Sequence, residues 1–330
     1  MKIGLHANSI DNRGGGQLIF DYAKGIQTIL GHEVYIYSSS KFLNETIERC
    51  RQRFIVDQYD IRIGTAENNN LIQNKLEYFI DRDKLDFLYF IKAGNIDGIL
   101  PKNCKTGIHC VFTMAEPHGD VYAGISEYTA KKYNKSLYVP HIVNRRECTE
   151  DVRKKLGIPH DALVLGRHGG MEYFNLPFVQ QAIRDILKHR QDIWFLFLST
   201  RPFINHERVI FLPWLEAEQD KYNAIHACDG MIHARLDGEM FGIAVGEFSC
   251  CNKPVITWSG KTSTGQDYSG YDKAHIDILS KKAIVYNNYQ DVLDIFYSLQ
   301  KVDIQKRSWD VYSKYNEANV IDSFNTVFLK

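Results

Sequence analysis

Two glutamates, Glu239 and Glu247, stand eight residues apart and bracket a Phe241-Gly242 pair in the stretch HARLDGEMFGIAVGEFSCCNKPVIT, His233 to Thr257. Carboxylates accept hydrogen bonds from hydroxyls, and a glycine has no Cβ to keep a ligand from the backbone. A helix over Phe241 to Cys251 would aim the N–H groups of Met240, Phe241 and Gly242, with Ile243 next in line, at an anion such as a phosphate. Glu247 would lie roughly 9 Å along that helix from Phe241, at about 1.5 Å per residue. One acid then binds one end of an extended ligand and the other a hydroxylated group further along, with phosphates between. A nucleotide sugar has that layout.

Further candidates lie elsewhere in the chain. Arg167-His168-Gly169-Gly170 places a guanidinium fork in a glycine-rich loop, where it can grip a diphosphate. Asn12-Arg13-Gly14-Gly15-Gly16-Gln17 opens a helix with three glycines, which permits close backbone approach or simply a turn; the spacing is not GxGxxG. His118 stands between Pro117 and Gly119 in a loop, and His109 in the strand before it. Gly260-Lys261-Thr262 is no P-loop, because Val255 occupies the position where that motif needs its first glycine.

The Glu239/Glu247 pair, the enclosed Phe241-Gly242 and the following Lys253-Pro254-Val255-Ile256 resemble the E-x7-E signature of retaining family 4 glycosyltransferases of the GT-B fold. The resemblance implies that Glu239 contacts the donor sugar, that Glu247 binds the ribose hydroxyls, and that the backbone between them meets the diphosphate. It implies further that Gly15 and Gly16 reach towards donor and acceptor, that His118 touches the transferred sugar with His109 second to it, and that Trp214 and Leu215 hold the nucleobase. In that family a lysine follows the Gly-Arg pair by five residues and shares the phosphate; here Glu172 stands at that spacing. Arg201, Arg235 and Lys261 are the substitutes to consider.

These residues need elements to place them. Ligands of parallel α/β sheets collect beyond the carboxyl ends of the strands. Asp229 to His233, Val255 to Thr257, Leu85 to Ile91 and Ile193 to Leu198 are short apolar runs suited to buried parallel strands. Leu18 to Leu30, Phe178 to Lys188, Glu216 to Ala227 and Arg307 to Phe328 have helical spacing, and Ser126-Glu127 caps another helix. The expected fold is α/β of GT-B type: two Rossmann-like parallel-sheet domains facing each other across a cleft. Residues 1–145 form the acceptor-side domain, 146–306 the nucleotide-sugar domain, and 307–330 a terminal helix crossing back to the first.

At 330 residues the chain is long enough for two cores, and its 40 basic and 40 acidic side chains cancel, which disfavours broad binding to nucleic acid or an anionic membrane. The seven cysteines form no CxxC pair and suggest free thiols in a reducing compartment. No apolar run approaches the ~20 residues of a membrane span. The expectation is a soluble, cytoplasmic enzyme with no cofactor and no metal. It would take a nucleotide-diphosphate sugar as donor and a glycan or small hydroxyl compound as acceptor. Two rivals stay open: a nucleotide-sugar epimerase of the same fold, and a non-catalytic nucleotide- or glycan-binding relative. A glycoside hydrolase fits poorly, because its two acids must flank one bond from opposite faces.

Overall fold

The computed structural model describes residues 1–10, 14–39, 44–215, 217–262 and 264–330. The chain divides into two compact units, Met1–Ile142 with Tyr315–Lys330, and Val143–Lys314.

The first unit contains β1 (Lys2–Ala7), α1 (Gly14–Thr28), β2 (Glu33–Ser38), α2 (Glu45–Arg51), β3 (Ile55–Gln58), α3 (Ala66–Asp83), β4 (Phe87–Lys92), β5 (Lys105–Cys110), β6 (Val121–Gly124) and α4 (Glu127–Lys132). Its six strands run parallel in the order β3-β2-β1-β4-β5-β6. The run FLYFIK is buried on both faces, as expected of a central parallel strand, and Tyr37, Phe79, Leu88, Phe90 and Ile108 join one core cluster. Ser126 caps α4 by accepting from Thr129 N at 3.0 Å.

The second unit contains α5 (Val152–Leu156), β7 (Leu163–Arg167), α6 (Pro177–His189), β8 (Ile193–Leu198), β9 (Val209–Leu212), α7 (Glu218–Ala227) and β10 (Gly230–His233). It continues through β11 (Gly238–Glu239), α8 (Ile243–Cys250), β12 (Val255–Trp258), β13 (Asp272–Lys273), α9 (Ala274–Leu279), β14 (Ala283–Tyr286), α10 (Tyr289–Ser298) and α11 (Lys301–Gln305). The six main strands are again parallel, in the order β14-β12-β10-β7-β8-β9, while β11 and β13 pair separately. Strand order reverses between β7 and β10, the point at which open parallel sheets generally receive ligands. Its core runs from Ile183 and Ile186 of α6 through Phe195 and Phe197 to Trp258 and Phe296. Each such large side chain contributes about 1.5–3 kcal/mol when buried.

The terminal segment departs from the expected single helix over Arg307 to Phe328. Trp309 N donates to Asn252 Oδ1 at 2.7 Å, and Val311 N to Ser249 Oγ at 3.0 Å. Asp310 Oδ1 accepts from Tyr312 N and Ser313 N, both at 3.1 Å. Those N–H groups are therefore spent on side chains, which removes them from any helical ladder. A 3-10 turn forms at Ser313–Tyr315, and α-helix returns at α12 (Glu317–Phe324), followed by a π-helical turn over Asn325–Leu329. There Lys24 and Glu317 pair at 3.0 Å, and a Cβ on Gly25 would come within 2.5 Å of Ile321 Cγ1, so α12 lies directly on α1. Among the described residues no helix is long and apolar enough to cross a membrane.

Candidate active site

Arg167 ends β7 and His233 ends β10, so both side chains stand at the strand-order reversal. Asn175 braces the loop after β10: its N–H donates to Ala234 O at 3.0 Å and its Oδ1 accepts from Leu236 N at 2.8 Å. Gly238 then turns the chain with φ 66°, where a Cβ would lie 2.0 Å from Asp272 O. Only glycine fits that conformation and that approach. The β11–β13 pairing sets Glu239 opposite Lys273 and fixes its backbone.

The expected helix over Phe241 to Cys251 begins two residues later than its sequence suggested. Gly242 adopts φ 84° and ψ 69°, outside helical space, and the first helical bond runs from Gly246 N to Gly242 O at 2.9 Å. The N–H groups without an intrahelical acceptor therefore belong to Gly242, Ile243, Ala244 and Val245, not to Met240 and Phe241. No side chain caps this end. Phe241 is buried, its carbonyl accepting from Tyr312 Oη at 2.8 Å, and Met240 is half-buried. A Cβ on Gly242 would lie 3.2 Å from His275 Cβ and 3.4 Å from Glu239 Cβ, so this glycine also serves packing.

Both acids are held ionised by partners. Glu239 Oε2 accepts from Arg235 Nη1 at 3.0 Å, and its Oε1 lies 3.3 Å from His233 Nε2. Burial alone would raise its pKa, but the His233 hydrogen bond and the Arg235 charge outweigh it and bring it down to about 2. Glu247, only 5% exposed, takes a hydrogen bond from Lys221 Nζ of α7 and lies 2.7 Å from His168 Nε2. Burial again opposes ionisation, and the Lys221 and His168 charges prevail, giving about 2.

Arg167 differs from the free fork expected of it. Its Nη1 donates to Thr200 Oγ1 at 2.6 Å and Ser199 O at 3.3 Å, and its Nη2 to Gly170 O at 2.6 Å. Three of its five N–H groups thus hold the surrounding loops, and burial pulls its pKa down to about 10. Of the three substitutes for the family's lysine, Arg235 is the one beside Glu239, its guanidinium 4.1 Å from the Tyr173 ring centroid. Arg201, Glu172 and Lys261 are exposed.

Trp214, 42% exposed, and half-buried Leu215 follow edge strand β9, two strands from β7. In the first unit, Gly15 and Gly16 lie in the opening turn of α1, and a Cβ on Gly15 would meet nothing. Asn12 and Arg13 lie outside the described residues, as does Glu216 ahead of α7. His118 Nδ1 donates to Glu116 O at 2.7 Å, and its ring faces Tyr122 at 5.3 Å. His109 is instead a core histidine: it is buried, sits 2.6 Å from Tyr89 Oη and 2.8 Å from Val139 O, and burial lowers its pKa to about 4. Asp81-Arg82-Asp83 has the Asp-x-Asp spacing of many metal sites, yet Asp83 accepts from Tyr37 Oη at 2.7 Å and Asp81 from Asn103 at 2.9 Å. It closes α3 before β4 begins, at the amino edge of the sheet.

Lys221, His168, His233, Thr257 and His275 were not singled out from the sequence. The Lys221 spacing carries no signal, whereas His233 and Thr257 occupy the ends of two neighbouring apolar runs, a pattern that invites a cross-strand pair.

No family model matches the chain, and no curated protein matches it in sequence. Solved structures do match it in fold. A glycosyltransferase from Rickettsia africae ESF-5 superposes with a TM-score of 0.69 at 13% identity, over 99% of this chain and 94% of that one. HepE from Anabaena, in complex with UDP-glucose, gives 0.67 at 12%, over 99% and 95%. A candidate UDP-N-acetylglucosamine 2-epimerase from Listeria monocytogenes gives 0.63 at 13%, over 97% and 94%. The fold is GT-B: α/β, with two Rossmann-like six-stranded parallel sheets.

Proposed function

We propose that this protein transfers a sugar from a nucleotide-sugar donor to a hydroxyl of a glycan or other acceptor, with retention of anomeric configuration and without a metal ion. The observation carrying this reading is the pair of carboxylates, Glu239 and Glu247, each held by basic side chains, on either side of the uncapped start of α8 at the strand-order reversal. HepE, a structural neighbour, holds UDP-glucose.

In this reading the donor diphosphate meets the N–H groups of Ile243 and its successors, with Met240, Phe241 and Gly242 shaping the approach. Glu247 accepts from the ribose hydroxyls with the lone pairs that Lys221 and His168 leave. Glu239 accepts from a sugar hydroxyl. Arg167 contributes positive potential and holds the His168–Gly170 loop, while Arg235 supplies the charge that Glu172 does not. His118, Gly15 and Gly16 serve the transferred sugar and the acceptor, and Trp214 and Leu215 the base. As the sugar–phosphate bond breaks, its electron pair passes to the departing diphosphate, which fixed positive groups stabilise. The acceptor proton passes to a donor phosphate oxygen.

A thermal-shift screen against UDP-, GDP- and ADP-sugars tests the binding half: at least one should raise the melting temperature. The stabilising donor is then incubated with candidate glycan acceptors in the presence of EDTA, and the product anomer is assigned by NMR. No shift with any donor removes the donor site; an inverted anomer or loss of turnover with EDTA corrects the mechanism.

The second reading is a nucleotide-sugar epimerase, favoured by the Listeria neighbour. Incubating the donor with no acceptor separates the two, because only an epimerase accumulates an isomer of the nucleotide sugar.

A further inference from the structure

Behind Glu239 lies a row of buried polar side chains with no place in the scheme above. Parallel pairing of β10 with β12 sets His233 level with Thr257, and their side chains meet at 2.9 Å, His233 Nδ1 to Thr257 Oγ1. The same Oγ1 lies 2.9 Å from His275 Nε2 in the first turn of α9. Thr257 and His275 are both fully buried, and the two imidazole rings stand 4.8 Å apart. Tyr286 Oη donates to the His233 carbonyl at 2.7 Å, fixing the end of the strand. The row therefore runs His275, Thr257, His233, Glu239 and Arg235.

One hydroxyl shared by two imidazoles has a single proton to give. The Glu239 carboxylate only accepts, so it needs an N–H on His233 Nε2. A neutral His233 with that tautomer has a bare Nδ1, which must accept the Thr257 proton. Thr257 Oγ1 is then free to accept from His275 Nε2–H. Reversing the Thr257 hydroxyl puts the proton on His233 Nδ1 and turns a bare nitrogen towards the carboxylate. Burial holds the His275 pKa down, to about 3, which keeps that ring neutral.

We propose that Thr257 and His275 are positioning residues: together they lock His233 in the Nε2–H tautomer, and His233 with Arg235 locks the Glu239 carboxylate in one orientation towards the donor sugar. The proposal rests on the reading of Glu239 as the sugar contact. A buried polar row of this kind rigidifies a site through the hydrogen bonds its members share. Loss of the Thr257 hydroxyl frees His233 to exchange tautomers and Glu239 to lose one of its two donors.

The test uses the full chain with 15N-labelled histidine and long-range 15N–1H correlation, the His233 signals being assigned by their loss in His233→Gln. His233 should show a protonated Nε2 and a bare Nδ1. Thr257→Val, which keeps shape and removes the hydroxyl, should convert this to a mixture, and Thr257→Ser should restore it. In parallel, calorimetry with UDP-glucose and with UDP gives the affinity gained from the sugar. That gain should fall about tenfold in Thr257→Val, as expected for one lost hydrogen bond, recover in Thr257→Ser, and leave UDP affinity unchanged. A wild-type His233 protonated on Nδ1, or a Thr257→Val spectrum identical to wild type, overturns the relay whatever the ligand data show. An intact relay combined with a Glu239→Ala protein that keeps the full sugar gain overturns the sugar-contact reading instead.

Discussion

Lys221 of α7 and Glu247 of α8, 26 residues apart in sequence, form a hydrogen-bonded ion pair whose carboxylate also faces His168 at 2.7 Å. Removing one partner of such a pair strands the other charge, which costs more than the pair itself contributes. Lys221→Met should therefore destabilise the protein by about 2 kcal/mol, less than a sealed pair because the Lys221 side chain retains 20% exposure. Glu247→Gln in the same background should recover part of the loss. Urea unfolding of the two single variants and the double variant measures the coupling, and strictly additive losses would show that none exists.

Glu247→Gln should also weaken nucleotide binding. The amide keeps the shape but halves the acceptor capacity and removes the charge that strengthens a hydroxyl hydrogen bond. We expect UDP affinity to fall about tenfold by calorimetry. Unchanged affinity would remove the ribose role from this residue.

Glu239→Ala has a different expected signature. Its carboxylate stands before α8, away from Glu247 and next to His233 and Arg235. Transfer should drop by two orders of magnitude or more while UDP binding stays intact, since only sugar contacts are lost (~2.7 kcal/mol of transition-state binding). Full transfer activity in this variant contradicts the assignment.

The two carboxylates predict an acid dependence with a definite sign. Both have folded-state pKa values of about 2 against an ordinary 4.5. Unfolded chains take up these protons first, so the stabilisation is complete above the ordinary value and is lost as pH falls through about 2. Each group carries up to roughly 3 kcal/mol at neutral pH. The unfolding free energy of Glu247→Gln should fall less steeply than wild type on acidification across this window. Parallel slopes in urea titrations at successive pH values would show that the Lys221 and His168 contacts do not hold the acid ionised.

The two-sheet architecture and the strand–loop–helix unit around Glu239 and Glu247 were legible in the linear chain, because they rest on local facts. FLYFIK and IWFLFL are short apolar runs of the length that buried parallel strands have, and an eight-residue spacing survives any detail of the fold. The start of α8 was not legible: Gly242 takes a left-handed conformation beside His275, which is 33 residues further on. Nor was the fate of Arg167, since the Thr200 and Ser199 groups that occupy its guanidinium belong to the next strand's loop. The terminal helix failed for the same reason, its N–H groups being claimed by Asn252 and Ser249. Periodicity and spacing are properties of neighbours along the backbone, so they name the acids and the elements that carry them. Which cation reaches which acid depends on strand register and on where a helix begins, and those are decided only when distant segments pack.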